Sequence, residues 1–326
     1  MAGAAAHDRH WGVLGVPSSR AAHWPGLERG PAALRSAGLV EALSAAGASV
    51  TDHGDRPVAR WRDAAATGVA RRQGEAHDVA GVAEVLRDAR DALDGLLTAG
   101  ETPLVLGGEC TLVVPLVAAA VRAHGDIGLV YVDGGQDLQL TADHPEEPIL
   151  DSGGVAHLLD LPGAAAELAG LGGPKPLLAA DALCFLGFAD DDEDVHGLVP
   201  SLRLPVADVV ADPEGAAARA VDAVTGQSST GRAGARDHAG PGRRRFVVHL
   251  DVDVLDALLL PGADIPQYGR GLTLDVLVAA LEPLVADPRF AGMTLVEYNP
   301  DHDPDGTSAR RLVAALAPVL AARREP

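Results

Sequence analysis

The sequence predicts an α/β fold, a three-layer α/β/α sandwich built on a mostly parallel sheet. Short runs rich in β-branched residues alternate with longer Ala- and Leu-rich segments, which is the pattern of repeated βα units. The short runs are continuously apolar and do not alternate with polar residues, which indicates strands buried on both faces. With 326 residues, of which 47% are hydrophobic, the chain is long enough to bury such a sheet.

In chain order, seven segments have the length and composition of buried strands. They cover residues 11–16, 49–52, 103–106, 127–132, 182–187, 246–250 and 293–298. Six further segments carry apolar residues at three- and four-residue spacing, which predicts helices. They cover residues 31–46, 76–97, 111–124, 214–224, 274–285 and 308–321, and Pro31 suits the first turn of its helix.

The predicted elements follow one another along the chain, so we expect a single domain over residues 1–326. Residues 227–245 are the exception, because Gly, Ser, Arg and Pro dominate there and no apolar period is present. This composition predicts a mobile surface loop. The arginines that end it, Arg243, Arg244 and Arg245, also allow a basic patch for an acidic partner, although a solvated loop needs no partner.

Charge and cysteine content narrow the classes of partner and compartment. Acidic residues outnumber basic ones by 46 to 26, a formal net charge of −20, which argues against nucleic acid or an anionic membrane as partner. Two cysteines do not make a disulfide framework, and the first residues lack the apolar core of a secretory signal. The longest apolar stretch, residues 112–121, is shorter than the roughly 20 residues that span a bilayer. We therefore predict a cytoplasmic protein without a membrane segment.

Acidic side chains follow four of the predicted strands. The segments are Gly107-Gly108-Glu109-Cys110, Asp133-Gly134-Gly135-Gln136-Asp137, residues 251–256 with Asp251 and Asp253, and residues 297–300 beginning with Glu297. Because ligands of open parallel sheets bind at the carboxyl ends of strands, we expect these residues to surround one pocket. Asp251 and Asp253 would share one face of an extended chain, where a cation relieves their mutual repulsion.

Each motif also has a structural explanation when it is taken alone. Gly-Gly-Glu-Cys suits a tight turn with an acid in the first helical turn, and a single Asp such as Asp133 suits a cap. The only asparagine of the chain, Asn299, suits a turn in the same way. Four such motifs at strand ends, in this order, favour a shared site.

These motifs resemble those of the ureohydrolase family, which comprises arginase, agmatinase and formiminoglutamase. The resemblance extends over most of the chain, from residues 14–17 and 30–35 near the start to residues 297–306 near the end. It implies an arginase-like α/β/α sandwich that assembles as a homo-oligomer, often a trimer or hexamer. It also implies hydrolysis of a guanidino or amidino carbon–nitrogen bond with two bridged Mn²⁺ ions.

The resemblance assigns metal ligands position by position. Cys110 stands where the family has the His of the first metal, and Gly135 stands where it has the His of the second. The carboxylate ligands of the family match Asp133, Asp137, Asp251 and Asp253. We therefore predict one bound divalent metal, with Mn²⁺ as a candidate, and a lost second site that lacks a neutral ligand. A partly protonated, metal-free pocket is the alternative.

The resemblance also assigns the groups that act on the substrate. Glu297 matches the acid that faces the guanidinium group in arginases. The proton-shuttle His of the family falls on Asp151 or Ser152, because the loop length leaves the alignment open. The alternatives for moving this proton are His144, His249 and His302.

Two functions follow from these assignments. The first is a divergent metallohydrolase of a guanidino or amidino small molecule, in which metal-activated water attacks the trigonal carbon held against Glu297. The second is an arginase-fold protein without ureohydrolase activity, a pseudoenzyme or a scaffold recruited to other chemistry in specialised metabolism, which Gly135 and the missing shuttle His favour. The retained carboxylates favour the enzyme, and Glu146 and Glu147 favour a cationic group on its substrate.

Overall fold

A computed structural model of the protein describes residues 9–63, 76–145, 148–171, 173–189, 192–226 and 244–322. Within these ranges eight strands form one sheet, and every neighbouring pair is parallel. The strands are β1 (His10–Val16), β2 (Ser49–Asp55), β3 (Thr102–Gly107), β4 (Ile127–Val132), β5 (Leu183–Leu186), β6 (Leu202–Leu204), β7 (Arg245–Asp251) and β8 (Phe290–Val296). Their order across the sheet is β2-β1-β3-β8-β7-β4-β5-β6.

Helices cover both faces of this sheet. They are α1 (Gly30–Ser36), α2 (Leu39–Ala45), α3 (Val79–Ala99), α4 (Val113–His124), α5 (Gly154–Leu158), α6 (Ala166–Ala169), α7 (Val206–Ala211), α8 (Pro213–Val224), α9 (Leu274–Ala286) and α10 (Thr307–Ala321). One apolar cluster joins alternate strand residues such as Val13 and Val130 to α1, α2, α7, α8, α9 and α10. A second joins the intervening residues, such as Leu14 and Tyr131, to α3, α4, α5 and α6. The predicted three-layer α/β/α sandwich is therefore confirmed.

The structure differs from the predicted elements at a few points. The segment predicted as one helix over residues 31–46 is two helices, because Gly38 adopts a left-handed φ of 89° between α1 and α2. Strand β8 ends at Val296, two residues before the predicted end, because Glu297 has a φ of 62° and leaves the extended conformation. The edge strand β6 was not predicted.

The last two residues of the mobile loop predicted over residues 227–245 depart from the prediction. Arg245 is already the first residue of β7 and pairs with Ile127 of β4, while Arg244 is buried. Residues 227–243, with Arg243, lie outside the described residues, as do Glu146 and Glu147.

The sheet order brings together the four strands that the sequence predicts to end in acidic motifs. Strands β3, β8, β7 and β4 are consecutive neighbours in the middle of the sheet, and all run in one direction. Their carboxyl ends therefore meet at one edge.

In the described ranges no helix is both long enough and apolar enough to cross a lipid bilayer.

Candidate functional site

Cys110 connects three of the motifs at this edge. It begins a short 3₁₀ turn, Cys110–Leu112, directly after β3, and its backbone N–H donates to Asp151 Oδ1 at 2.7 Å. Its thiol donates to Asp251 Oδ2 at 2.9 Å and lies 3.9 Å from Asp133 Oδ2. Burial raises the pKa of the Cys110 thiol well above its usual range, and the nearby carboxylate of Asp251 raises it further.

Asp133 and Asp251 end β4 and β7, where their backbones turn back on the side chains. Asp133 Oδ1 accepts from the N–H of Gly135 at 2.5 Å, and Asp251 Oδ1 accepts from the N–H of Asp253 at 2.6 Å. Burial raises the pKa of both carboxyls, and the charge of Asp253 raises each of them further. Each carboxylate therefore keeps its second oxygen, Oδ2, toward the Cys110 sulfur.

The chain does not stay extended from Asp251 to Asp253, so the reason for expecting both side chains on one face does not apply. The chain enters a 3₁₀ turn, Val252–Val254, after β7, and Asp253 Oδ1 accepts from the N–H of Gly134 at 2.8 Å. Asp253 thereby ties the segment after β7 to the segment after β4.

His249 is a further member of the site that the sequence identified only as an alternative proton carrier. It lies in β7 two residues before Asp251, so both side chains project on the same face of the sheet. Its ring is completely buried, and Nδ1 forms a 2.7 Å hydrogen bond with Thr294 Oγ1 of β8. Its Nε2 lies 4.0 Å from Asp133 Oδ2 and has no hydrogen-bond partner among the residues that the structure describes. The spacing of His249 from Asp251 was the available signal for this role.

The side chains at this edge form two groups that share Cys110. Within each group, one potential ligand atom per residue (a sulfur, an imidazole nitrogen or a carboxylate oxygen) lies within 4.8 Å of the others. We name Cys110, Asp133, His249 and Asp251 the central cluster, and Cys110, Asp151 and Glu297 the side cluster. All members are buried.

The side cluster contains a carboxyl pair. Burial raises the pKa of Glu297, and the neighbouring Asp151 raises it further, while Asp151 keeps a side-chain hydrogen bond to Glu297. The two carboxyl groups have oxygen atoms within 4.8 Å of each other, and carboxyls this close share a proton unless a cation separates them. Glu297 Oε1 is buried and has no hydrogen-bond partner within the described ranges, so it remains available as an acceptor.

Asp137 lies at the site but in neither cluster. Like Glu297, it has a positive φ, 51°, which is uncommon for a residue with a side chain and is found at functional sites. The Tyr131 hydroxyl donates to its Oδ2. Burial raises the pKa of Asp137, and Asp151 and Glu193 raise it further. Glu193, which the sequence analysis did not single out, accepts from the backbone N–H groups of Gln136 and Leu138 at 3.1 and 2.9 Å.

The other predicted proton carriers have peripheral contacts. The backbone N–H of His144 donates to Leu140 O at 3.0 Å in a turn, and the residue belongs to neither cluster. Ser152 is half-buried, and its carbonyl accepts from the N–H of Gln139. His302 is exposed, and its Nδ1 contacts Ala263 O at 2.6 Å. Asp151 is thus the one of these candidates that the structure brings into a cluster.

The donor set fits one cation better than the pair of Mn²⁺ ions that the resemblance implies. Gly135 offers no side-chain ligand, and Asp253 and Asp137 accept hydrogen bonds from Gly134 and Tyr131. The central cluster, by contrast, has a sulfur, an imidazole nitrogen without a hydrogen-bond partner in the described ranges, and two carboxylates close together. The other group of ligand-type side chains among the described residues, the side cluster, shares Cys110 with the central cluster and has no imidazole.

Comparisons with known proteins agree with this architecture. The model of the arginase family matches residues 9–172 and 214–321. Human arginase-1 is 26% identical over 331 residues, covering 97% of this chain and 93% of its own, and Brevibacillus brevis arginase is 25% identical over 96% and 98%. The crystal structure of Bacillus caldovelox arginase superposes with a TM-score of 0.80 at 21% identity, covering 97% of this chain and 99% of its own. Because the family model matches well over half of the chain, this protein belongs to the arginase family, as its motifs indicate.

Proposed function

We propose that the protein is a divergent metallohydrolase that cleaves a carbon–nitrogen bond in a guanidino or amidino small molecule. The observation that carries the proposal is the buried group of acids at the carboxyl ends of β3, β8, β7 and β4. It includes Glu297 Oε1, an acceptor that has no hydrogen-bond partner among the residues the structure describes. Family membership and the two arginase sequences named above support the reaction class.

Glu297 is suited to bind the substrate. An amidinium or guanidinium presents a planar edge of N–H donors, and a carboxylate accepts two of them in a bidentate pair. The substrate would bring its positive charge next to Asp151 and Glu297, whose repulsion it relieves. Burial of the pair excludes water and strengthens this recognition.

Asp151 is suited to carry the proton that the leaving amine requires. It is hydrogen-bonded to Glu297 and accepts from the Cys110 backbone N–H, so it lies between the proposed substrate and the central cluster. Burial raises the pKa of Asp151 well above its usual range, which favours the protonated form that a proton donor requires. Ser152 and His144 remain the other candidates for this step.

A cation bound in the central cluster would lower the pKa of a bound water and so supply the nucleophile. Cys110, Asp133 and Asp251 are proposed to hold it, and Asp137 and Asp253 to fix the loops around it. The protein is further proposed to act as a homo-oligomer on a small molecule.

The experiment is a substrate screen on the purified, metal-supplemented protein. It measures amine, ammonia and urea release from arginine, agmatine and a panel of other guanidino and amidino compounds. Because Gly135 replaces a metal ligand and no His stands at the shuttle position, we expect release from arginine and agmatine to fall far below the usual turnover of about 10 per second. Activity on another member of the panel should be lost in Glu297→Gln and kept in the exposed control Glu167→Gln.

The alternative function is an arginase-fold protein without hydrolase activity. The absence of a side chain at Gly135 favours it, since this change removes a ligand that two-metal chemistry requires. Saturable binding of a guanidino compound, abolished in Glu297→Gln but with no bond cleaved across the panel, would support this alternative and contradict the hydrolase.

A further inference from the structure

We propose that the central cluster is a single cation site of mixed thiolate, imidazole and carboxylate ligands, in which His249 Nε2 replaces the imidazole that Gly135 lacks. We infer that this site selects Zn²⁺ and ions of similar softness over Mn²⁺. The inference rests on the metal-binding part of the proposed function and is independent of the substrate.

The first observation is the environment of the His249 ring. Its neighbours across the sheet are Tyr131 in β4 and Thr294 in β8, which are its register partners in the two adjacent strands. Tyr131 stacks on the ring at 4.3 Å between centroids with an interplanar angle of 5°, and Thr294 Oγ1 contacts Nδ1 at 2.7 Å. The ring is thus fixed in plane and in rotation.

The second observation is the atom that this arrangement leaves without a partner. If Nδ1–H donates to Thr294 Oγ1, Nε2 presents a lone pair, and it does so at a completely buried position. Buried polar atoms without hydrogen bonds are rare in folded proteins and need an explanation. A histidine whose second nitrogen is fixed by a hydrogen bond is the usual arrangement of a metal ligand.

The third observation is the size of the cluster. Zinc bonds of about 2.0 to 2.3 Å in a tetrahedron place the ligand atoms about 3.3 to 3.8 Å apart. Here Cys110 Sγ lies 2.9 Å from Asp251 Oδ2 and 3.9 Å from Asp133 Oδ2, which itself lies 4.0 Å from His249 Nε2. These three distances bracket the tetrahedral values, and the other pairs of ligand atoms in the cluster lie within 4.8 Å, so ligand shifts of up to about an ångström would complete the shell.

The choice of metal follows from the donor atoms. Mn²⁺ prefers carboxylate, carbonyl and water oxygens, whereas thiolate and imidazole ligands favour Zn²⁺ and Co²⁺. With the thiol deprotonated, the thiolate and two carboxylates carry three negative charges and the imidazole none. One divalent ion therefore reduces the total charge of these ligands from −3 to −1.

The competing explanation is a proton-sharing network without metal. Cys110 already donates to Asp251, and protons shared among the acids would also relieve their repulsion. That network gives His249 Nε2 no partner, whereas the metal site does. The two explanations differ in whether His249 affects the affinity for a cation.

The test is metal binding to chelator-treated protein, followed by titration calorimetry and elemental analysis at neutral pH. We expect one equivalent of Zn²⁺ or Co²⁺ per chain and an affinity for Mn²⁺ at least 100-fold weaker. The Co²⁺ form should show a thiolate-to-cobalt charge-transfer band in the near ultraviolet, because Cys110 is a ligand. Two equivalents of Mn²⁺, or no bound cation, would overturn the proposal.

Two variants with matched controls test the individual ligands. His249→Gln and Cys110→Ser should each weaken Zn²⁺ binding at least 10-fold, and Cys110→Ser should abolish the charge-transfer band. His157→Gln and Cys184→Ser change a buried residue of the same type outside both clusters and should bind Zn²⁺ like the parent. Parent-like affinity in His249→Gln would remove His249 from the site.

A measurement on the unchanged protein covers the case in which a ligand variant fails to fold. X-ray absorption at the zinc edge should show one sulfur at about 2.3 Å together with the outer-shell scattering of one imidazole. A sulfur without an imidazole would overturn the role of His249. Zinc bound as expected with no substrate cleaved would leave this site standing and contradict the proposed hydrolase, so the two failures are distinguishable.

Discussion

At the scale of single residues, the site depends on acids that the fold buries close together. Asp133, Asp251 and Glu297 each have a raised pKa for which burial is the largest cause. A buried carboxylate is stable only when it is protonated, paired or bound to a cation. The described contacts of these three residues are with other acids, a thiol, backbone N–H groups and the imidazole of His249, whose pKa burial lowers to about 3, which makes a cation the natural counter-charge.

Asp251→Asn tests this reasoning directly. The change removes one ligand charge, so we expect Zn²⁺ or Mn²⁺ to raise the melting temperature of the variant far less than that of the parent. Without metal the variant should melt higher than the parent near pH 7, because the raised pKa of Asp251 opposes folding above the pKa of the unfolded chain. Differential scanning calorimetry with and without metal measures both effects.

Asp256→Asn is the control for that experiment. Asp256 accepts from the N–H groups of Leu258 and Gly269 in the same segment but belongs to neither cluster. Asn keeps an Oδ1 acceptor for both hydrogen bonds, so the change should cost no more than about 1 kcal/mol and leave the metal effect intact. If Asp251→Asn behaves like this control, Asp251 is a turn residue and not a ligand.

Gly135→His tests whether the second metal site was lost through this one position. A Cβ at Gly135 would lie 3.1 Å from Glu193 Oε1 and 3.5 Å from Asp133 Oδ1, so a small shift of the Glu193 carboxylate accommodates it. We expect elemental analysis to find a second equivalent of divalent metal in Gly135→His. Gly135→Leu, which adds bulk without a ligand, should bind as many equivalents as the parent. A single equivalent in both variants would contradict the prediction.

Some residues of the site could be predicted from the sequence, and one could not. The positions of Asp133, Asp251 and Glu297 follow from strand ends, because parallel strands present their carboxyl ends at one edge. The role of His249 does not follow, since the missing hydrogen-bond partner of Nε2 depends on the strand neighbours Tyr131 and Thr294. Sheet order, which brings those neighbours together, is not written in the local sequence.

At the scale of elements, the strands were predictable where they are long and buried. Strand β6, Leu202–Leu204, has only three residues at the edge of the sheet, too few to give an apolar run. The short helices α5, α6 and α7 were missed for the same reason, because fewer than two turns do not establish a helical period.

Two glycines show how the backbone fixes elements beside the site. Gly38 separates α1 from α2 with a φ of 89°, and no atom of the described residues lies within 4 Å of the position that its Cβ would take. Gly108 has the opposite constraint, because a Cβ there would lie 1.6 Å from Ser18 O. The Gly108 carbonyl also accepts from the N–H of Glu297 at 2.7 Å, so it connects β3 to the proposed substrate-binding acid.

Alanine at these two positions should therefore have different effects. Gly38→Ala should lower the free energy of unfolding by about 1 to 2 kcal/mol, the cost of a left-handed residue with a side chain, and leave metal binding unchanged. Gly108→Ala should lower it by about 3 kcal/mol or more and weaken metal binding as well. Denaturant unfolding and metal titration measure the two effects, and equal costs would contradict the close-approach argument.

At the scale of the whole molecule, the net charge of −20 adds to the repulsion inside the site. A ligand that binds only the folded state stabilises it by about 2.7 kcal/mol when its concentration is 100 times its dissociation constant. We expect a chelator to lower the melting temperature by a few degrees and Zn²⁺ to restore it. A melting temperature unaffected by either addition would argue for the metal-free pocket.

The stability of the protein in acid depends in part on His157, which lies in α5 outside both clusters. Burial lowers the pKa of His157 from 6.5 to about 4, so the unfolded chain binds a proton between these values that the folded protein does not. The free energy of unfolding therefore falls as the pH drops below 6.5, by about 2 to 3 kcal/mol at pH 4.5. The buried acids titrate in the opposite sense and are common to parent and variant.

His157→Gln removes this titration and can still accept from the Ala165 N–H, which contacts His157 Nδ1 at 3.2 Å. The variant should therefore lose less stability than the parent between pH 7 and pH 4.5, whatever its stability at pH 7. Urea unfolding at the two pH values gives, for each protein, the change in the free energy of unfolding between pH 7 and pH 4.5. Subtracting the change in the variant from that in the parent cancels the contributions of all other groups. Parallel pH dependence in parent and variant would mean that His157 is protonated in the folded protein, which its buried position in the apolar layer around α5 opposes.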